Sequence, residues 1–125
     1  MNMEYGNLTL VLCLEDDSIL VGREVLEVLG APRQVQLMIN AAQKKLLLQA
    51  CGVTDREAVV VPPQPTLYFA VSGHVILKRI RKLTGWQDPA PRQVSGYQVP
   101  GRMAIVFDLE TAETVDLAAG FPTGM

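Results

Sequence analysis

The chain spells one structural order twice, and no other feature limits its fold as much. Ile19-Leu20-Val21 leads into a helix over residues 23–29, Gly30 closes it, and Gln34–Ile39 pairs back on Lys45–Gln49. Leu67–Val71 leads into a second helix over His74–Thr84, Gly85 closes it, and Gln93–Val99 pairs back on Arg102–Asp108. A strand, helix and hairpin unit of about 33 to 43 residues cannot bury its own apolar face, and two such units complete one core together. The expected fold class is α+β: a small antiparallel β-barrel or paired sheets with two helices, built from an internal β-α-β-β duplication. The chain reads as one domain of two related halves, about 7–61 and 66–110, joined by the stiff segment Pro62-Pro63-Gln64-Pro65.

Local patterns fill in this outline. Asn7–Leu14 is a first strand that ends in the acidic turn Glu15-Asp16-Asp17-Ser18. Val35, Leu37 and Ile39 alternate with Gln34, Gln36, Met38 and Asn40, the period-two signature of a strand buried on one side. Leu46-Leu47-Leu48 is apolar throughout, as expected for a strand covered on both faces. Gly52–Glu57 reads as loop and Ala58–Val61 as a short strand. In the second helix Ser72 stands at the N-cap position, and Val75, Ile76, Ile80 and Leu83 form the apolar stripe from which Leu77 departs. Trp86–Arg92 is an extra loop that brings Trp86 back onto the core. Val99-Pro100-Gly101-Arg102 is a turn, Met103–Leu109 the closing strand, and an acidic, weakly helical tail follows.

Composition bounds the function more than it identifies it. At 125 residues, 49% hydrophobic and 19% charged, the chain has the balance of a globular domain with an apolar surplus suited to a homo-oligomer interface. Met1-Asn2-Met3-Glu4-Tyr5 lacks the basic n-region and continuous apolar core of a signal peptide, and no apolar run approaches the roughly 18 residues of a membrane span, so the expected setting is cytoplasmic, without membrane contact. The net charge of −2 conceals an asymmetry. Every base after residue 62 lies between Lys78 and Arg102, where Asp88 is the only acid. These bases, Lys78, Arg79, Arg81, Lys82, Arg92 and Arg102, are the candidate DNA-binding residues, nominated by charge.

Catalytic chemistry is thinly represented. His74 is the sole histidine and Cys13 and Cys51 are the only cysteines, which rules out a multi-histidine or four-cysteine metal set. Ser72-Gly73-His74 places a hydroxyl near an imidazole, but the residues read more simply as a helix start. Asp16-Asp17 lacks calcium-loop spacing, and no glycine-rich phosphate loop occurs. The expectation is a non-enzyme without metal or cofactor.

The first unit, Ile19-Leu20-Val21, the helix ending Val28-Leu29-Gly30 and the hairpin Gln34–Gln49, resembles the swapped-hairpin unit of AbrB-like and MazE-like regulators, which are DNA-binding transition-state regulators and antitoxins. In that family the unit is half a barrel completed by a second chain. The resemblance implies that the second unit here plays the partner's part within one chain, and that double-stranded DNA is a partner. The sequence departs from the family at Gly22, where a Pro is common, and at Glu15-Asp16-Asp17, where the family tends to place basic residues. An acidic turn repels DNA, so contacts must come from the basic segment. The other reading is a non-enzymatic protein-interaction or structural module whose apolar strand Leu46–Leu48 meets a protein partner or a second copy.

Overall fold

The computed structural model describes residues 8–51, 58–61 and 68–115. The expectations for Met1–Tyr5, Gly52–Glu57, the Pro62–Pro65 connector and the tail beyond residue 115 lie outside the described residues. The elements are β1 (Leu8–Cys13), β2 (Ser18–Gly22), α1 (Arg23–Val28), β3 (Gln34–Asn40), β4 (Lys45–Ala50), β5 (Val59–Val60), β6 (Tyr68–Ser72), α2 (His74–Thr84), β7 (Arg92–Gln98) and β8 (Ala104–Thr114). Among the described residues eight strands join one antiparallel sheet in the order β5-β3-β4-β8-β7-β1-β2-β6, a nearly closed barrel in which β5 and β6 form no ladder with each other. The barrel expectation holds at this level.

Pairing across the sheet follows a two-fold pattern. Exchanging β1 with β5, β2 with β6, β3 with β7 and β4 with β8 returns every neighbouring pair except β1–β2, whose counterpart β5–β6 does not pair among the described residues. The registers obey it too: Val35 faces Val59 as Val94 faces Leu10, and Gln34 faces Val60 as Gln93 faces Val11. Across the centre Lys45 meets Asp108 and Gln49 meets Ala104, so adding 59 to a residue of β3 or β4 gives its counterpart in β7 or β8. Pro-Arg-Gln-Val occurs at residues 32–35 and again at 91–94, with that same spacing. Strand β1 pairs with β7 from the far end of the chain, and β5 pairs with β3.

Alternation puts Leu10, Leu12, Ile19, Val21, Leu46, Leu48, Ile105 and Phe107 inside the barrel, where all are at most 1% exposed. Gly96 makes room for the largest of them. A Cβ there would collide with the Val106 carbonyl oxygen and stand 2.6 Å from the Phe107 ring. Leu37 and Leu48 hold the counterpart positions in the other half.

Several expectations are corrected. Leu46 and Leu48 are buried, but Leu47 faces outward and is only partly covered, so β4 is not covered on both faces. The strand covered on both faces is β1, where Val11 and Cys13 are buried as well as Leu10 and Leu12, because it is clamped between β7 and β2 and packed by α1. In α2 the fully buried residues are Leu77 and Ile80, and Val75 is 71% exposed. Leu77, Ile80 and Thr84 share one side of the turn, and Val75 falls well outside it. Gly73, not Ser72, is the N-cap, and no side chain caps α2. β8 continues to Thr114, past residue 109, because a register shift between Gln93 and Ser95 lets Glu113 and Thr114 rejoin β7.

Candidate anion-binding surface on the second helix

Helix α2 presents its bases on one side. Leu77 and Ile80 anchor it to the core, Gly85 ends it at φ +80°, and the Gly85 N–H donates to the Arg81 carbonyl. Thr84 adds a hydroxyl bond to the Ile80 carbonyl at 2.8 Å. With that face fixed, His74, Lys78, Lys82, Val75 and Arg79 turn outward, and Arg81 lies half-buried beside them. At 3.6 residues per turn Arg81, Lys78, Lys82 and Arg79 span an arc of roughly 160°. No acid interrupts this arc, and among the described residues none of the four forms an ion pair with a carboxylate. Arg81 reaches the Gln87 carbonyl at 3.5 Å.

The N-terminal end of the helix has the opposite character. Asp17, in the β1–β2 turn at φ +54°, accepts the Gly73 N–H through its carbonyl at 2.8 Å, and its carboxylate lies 3.1 Å from Nδ1 of His74. Glu15 and Asp16 are exposed in the same turn. An anion is therefore repelled at the His74 end and attracted along Lys78–Lys82, where the last helical turn also favours cations. Ser72 makes no bond to His74, whose ring is engaged with Asp17, so the hydroxyl and imidazole do not form a nucleophile and base.

The other two candidate bases stand apart. Arg92 is 8% exposed and points inward. Its guanidinium lies 4.6 Å from the Trp86 ring centroid, donates to both carboxylate oxygens of Asp88 at 3.3 Å, and donates to the Ala90 carbonyl at 3.0 Å. Arg92 is the clasp of the Trp86–Arg92 loop, with both terminal nitrogens bonded within it, and Trp86 packs against the core as expected. The Ala90 N–H bonded to Asp88 holds that carboxyl below the usual aspartate range, with the Arg92 charge a lesser cause. Arg102 is exposed in the β7–β8 turn, beside Met103, whose sulfur packs near Gly30 at the end of α1. The end of α2 lies instead near Leu109 and Ala112, at least five residues along β8 from its start, or about 17 Å of extended chain. The structure gathers Lys78, Arg79, Arg81 and Lys82 and leaves Arg92 and Arg102 outside.

Other chemistry is sparse. Cys13 is buried in β1, and burial pushes its thiol above the ordinary cysteine value. Among the described residues no three His, Cys, Asp or Glu side chains come together as a metal set, and no helix is long and apolar enough to cross a membrane.

The outer face of the sheet carries a feature that sequence reading missed. Met38, Leu47, Val106 and Tyr97 are successive cross-strand neighbours on β3, β4, β8 and β7, forming one apolar row. A polar row borders it on each side, Gln36 bonded to Gln49 and Lys45 paired with Asp108 at 3.3 Å. The signal in the sequence is the 59-residue spacing that relates Leu47 to Val106 and Met38 to Tyr97.

The chain matches no protein-family model, no curated protein and no solved structure.

Proposed function

We propose that this protein binds double-stranded nucleic acid through the sugar-phosphate backbone, with Lys78, Arg79, Arg81 and Lys82 on α2 as the contact surface, in the manner of a DNA-binding regulator or antitoxin-like protein. One observation carries the reading: four bases occupy one outward arc of a rigid helix without a described carboxylate partner. Interleaving with acids along the helix would have neutralised the surface; the acidic β1–β2 turn meets its N-terminal end, and Glu110 stands by Thr84 past its last turn. The proposed origin of the architecture is an internal duplication of a β-β-α-β-β unit. The matching registers and the repeated Pro-Arg-Gln-Val support it, as does the resemblance of the first half to the swapped-hairpin regulators.

The test is binding to random-sequence duplex at low and moderate salt. Four phosphate contacts predict that affinity falls about 100-fold between roughly 50 and 200 mM salt, since the logarithmic slope is about −0.9 per contact. Lys78→Glu combined with Lys82→Glu abolishes binding without unfolding, because both side chains are exposed. Undiminished binding by the folded double variant removes α2 from the interface.

The row Met38–Leu47–Val106–Tyr97 supports a second reading, a self-association module. Leu47→Asp would then dissociate the oligomer while leaving the monomer folded, because Leu47 lies outside the barrel. Sedimentation of the wild-type chain as a monomer at tens of micromolar rejects it.

A further inference from the structure

The two borders of the outward apolar row are unlike. On one side Gln36 and Gln49 are bonded to each other, and Ala104 stands beside Gln49 on β8, so that border carries no charge. On the other, Lys45 and Asp108 stand side by side on β4 and β8, 3.3 Å apart and both partly exposed. Between the borders Tyr97 is 44% exposed, and Met38, Leu47 and Val106 are each partly exposed. An open hollow of about 350 Å³ is lined by all four and by Lys45. The two longest side chains, Met38 and Tyr97, hold the ends of the row. On the convex wall of a barrel the end strands fall away from a facing surface, and long side chains there level the face.

We propose that this face is covered by a second copy of the chain, related by a two-fold axis that runs parallel to β4 and β8. The proposal rests on the self-association reading of the row and adds to it the partner's orientation. A two-fold contact has to be self-complementary, and two axes in the plane of the face stack the row on itself. An axis along the row would set Met38 against Met38 of the partner subunit and Tyr97 against Tyr97 of the partner subunit. It would also lay Lys45 and Asp108 over the uncharged border, covering an ammonium and a carboxylate without an opposite charge to face them. An axis along the strands instead exchanges β4 with β8 and β3 with β7. Leu47 then meets Val106 of the partner subunit, and Met38 meets Tyr97 of the partner subunit as a sulfur–aromatic contact. Lys45 meets Asp108 of the partner subunit, and the two ion pairs close into a ring of four alternating charges. Charge complementarity therefore selects the second axis.

The test combines sedimentation with cross-linking. The wild-type chain should dimerise at tens of micromolar. Lys45→Asp and Asp108→Lys should each weaken the dimer at least about tenfold, because four like charges then meet at one border. An equimolar mixture of the two variants should recover it, since the acidic border of one chain faces the basic border of the other. Met38→Cys and Tyr97→Cys chains, mixed and treated with a short bismaleimide, should cross-link to each other, with the bridge mapped to the introduced cysteines by mass spectrometry. Facing Cα atoms stand about 10 Å apart in stacked sheets, and like positions at the row's ends about 17 Å apart, so neither chain alone should join to itself.

A wild-type monomer at tens of micromolar rejects the self-association reading and the proposal together. A dimer that Leu47→Asp dissociates, but in which Met38→Cys chains join to each other, keeps that reading and overturns the proposed axis. The same holds if mixing the two charge variants restores nothing.

Discussion

Gly96 faces Phe107 across β7 and β8 at the barrel centre, in the position that Leu37 and Leu48 hold across β3 and β4. The first hairpin places a fully buried Leu48 beside a partly buried Leu37. The second gives the volume to a phenyl ring and none to its neighbour, so the interior is filled by different means in two places that share one backbone pattern.

Gly96→Ala should therefore be among the most damaging small substitutions in the chain. The added methyl would collide with the Val106 carbonyl oxygen as well as the ring, and backbone cannot yield as a flexible side chain would. A cost of about 2–4 kcal/mol is expected from overpacking, measured by denaturant unfolding. Phe107→Leu alone should cost about 1–3 kcal/mol through lost burial. The double variant should cost less than the sum, since the smaller side chain relieves part of the clash.

Gln34 and Gln93, counterparts in the two hairpins, each bury a side-chain carbonyl oxygen without a described partner. Removing an unpaired buried polar atom while keeping the volume recovers its desolvation cost. Gln34→Met and Gln93→Met are each expected to be neutral or stabilising by up to about 1 kcal/mol. Three strand spacings, about 14 Å across the sheet, and a further offset of several residues along the strands separate the two sites, so the effects should add. A loss above 1 kcal/mol in either single variant would contradict this.

The Asp88–Arg92 clasp predicts a sign for acid destabilisation. Asp88 stays ionised to lower pH in the folded chain than in the unfolded one, so its contribution is fully present above the ordinary aspartate value of about 3.9. It is lost as pH falls through the lower folded value. Asp88→Asn should flatten the stability profile in that acidic window and leave the slope above pH 5 unchanged. Arg92→Met should cost about 1–2 kcal/mol at neutral pH from the lost charged hydrogen bonds and alter Trp86 fluorescence, without changing affinity for duplex DNA.

Helix α2 offers a pair of opposite outcomes. Val75→Lys should change stability by less than about 0.5 kcal/mol, since the site is 71% exposed, and should strengthen duplex binding by adding a base to the outward arc. Leu77→Ala should cost about 2–4 kcal/mol, since that side chain is 1% exposed. Circular dichroism melts and salt-dependent binding read both.

Which bases gather was only partly legible. Lys78, Arg79, Arg81 and Lys82 follow from helical spacing, because one helix carries all four. Arg92 looks like its neighbours in a list of charges, yet the ring of Trp86 and the carboxylate of Asp88 turn it inward, and no local pattern announces a contact made through a folded loop. Leu47 fails as an expectation for a related reason: a run of three leucines does not reveal which face lacks a cover.

The sequence by itself determined the elements, since period-two alternation, helical spacing and glycines at positive φ are local properties of the chain. It also determined the order in which they recur. The tertiary structure alone decided that β1 pairs with β7 and β4 with β8, and that β5 and β6 are the two ends of the sheet. Those pairings join residues far apart in the chain, and the energy that selects them comes from filling a shared interior, which depends on both halves at once.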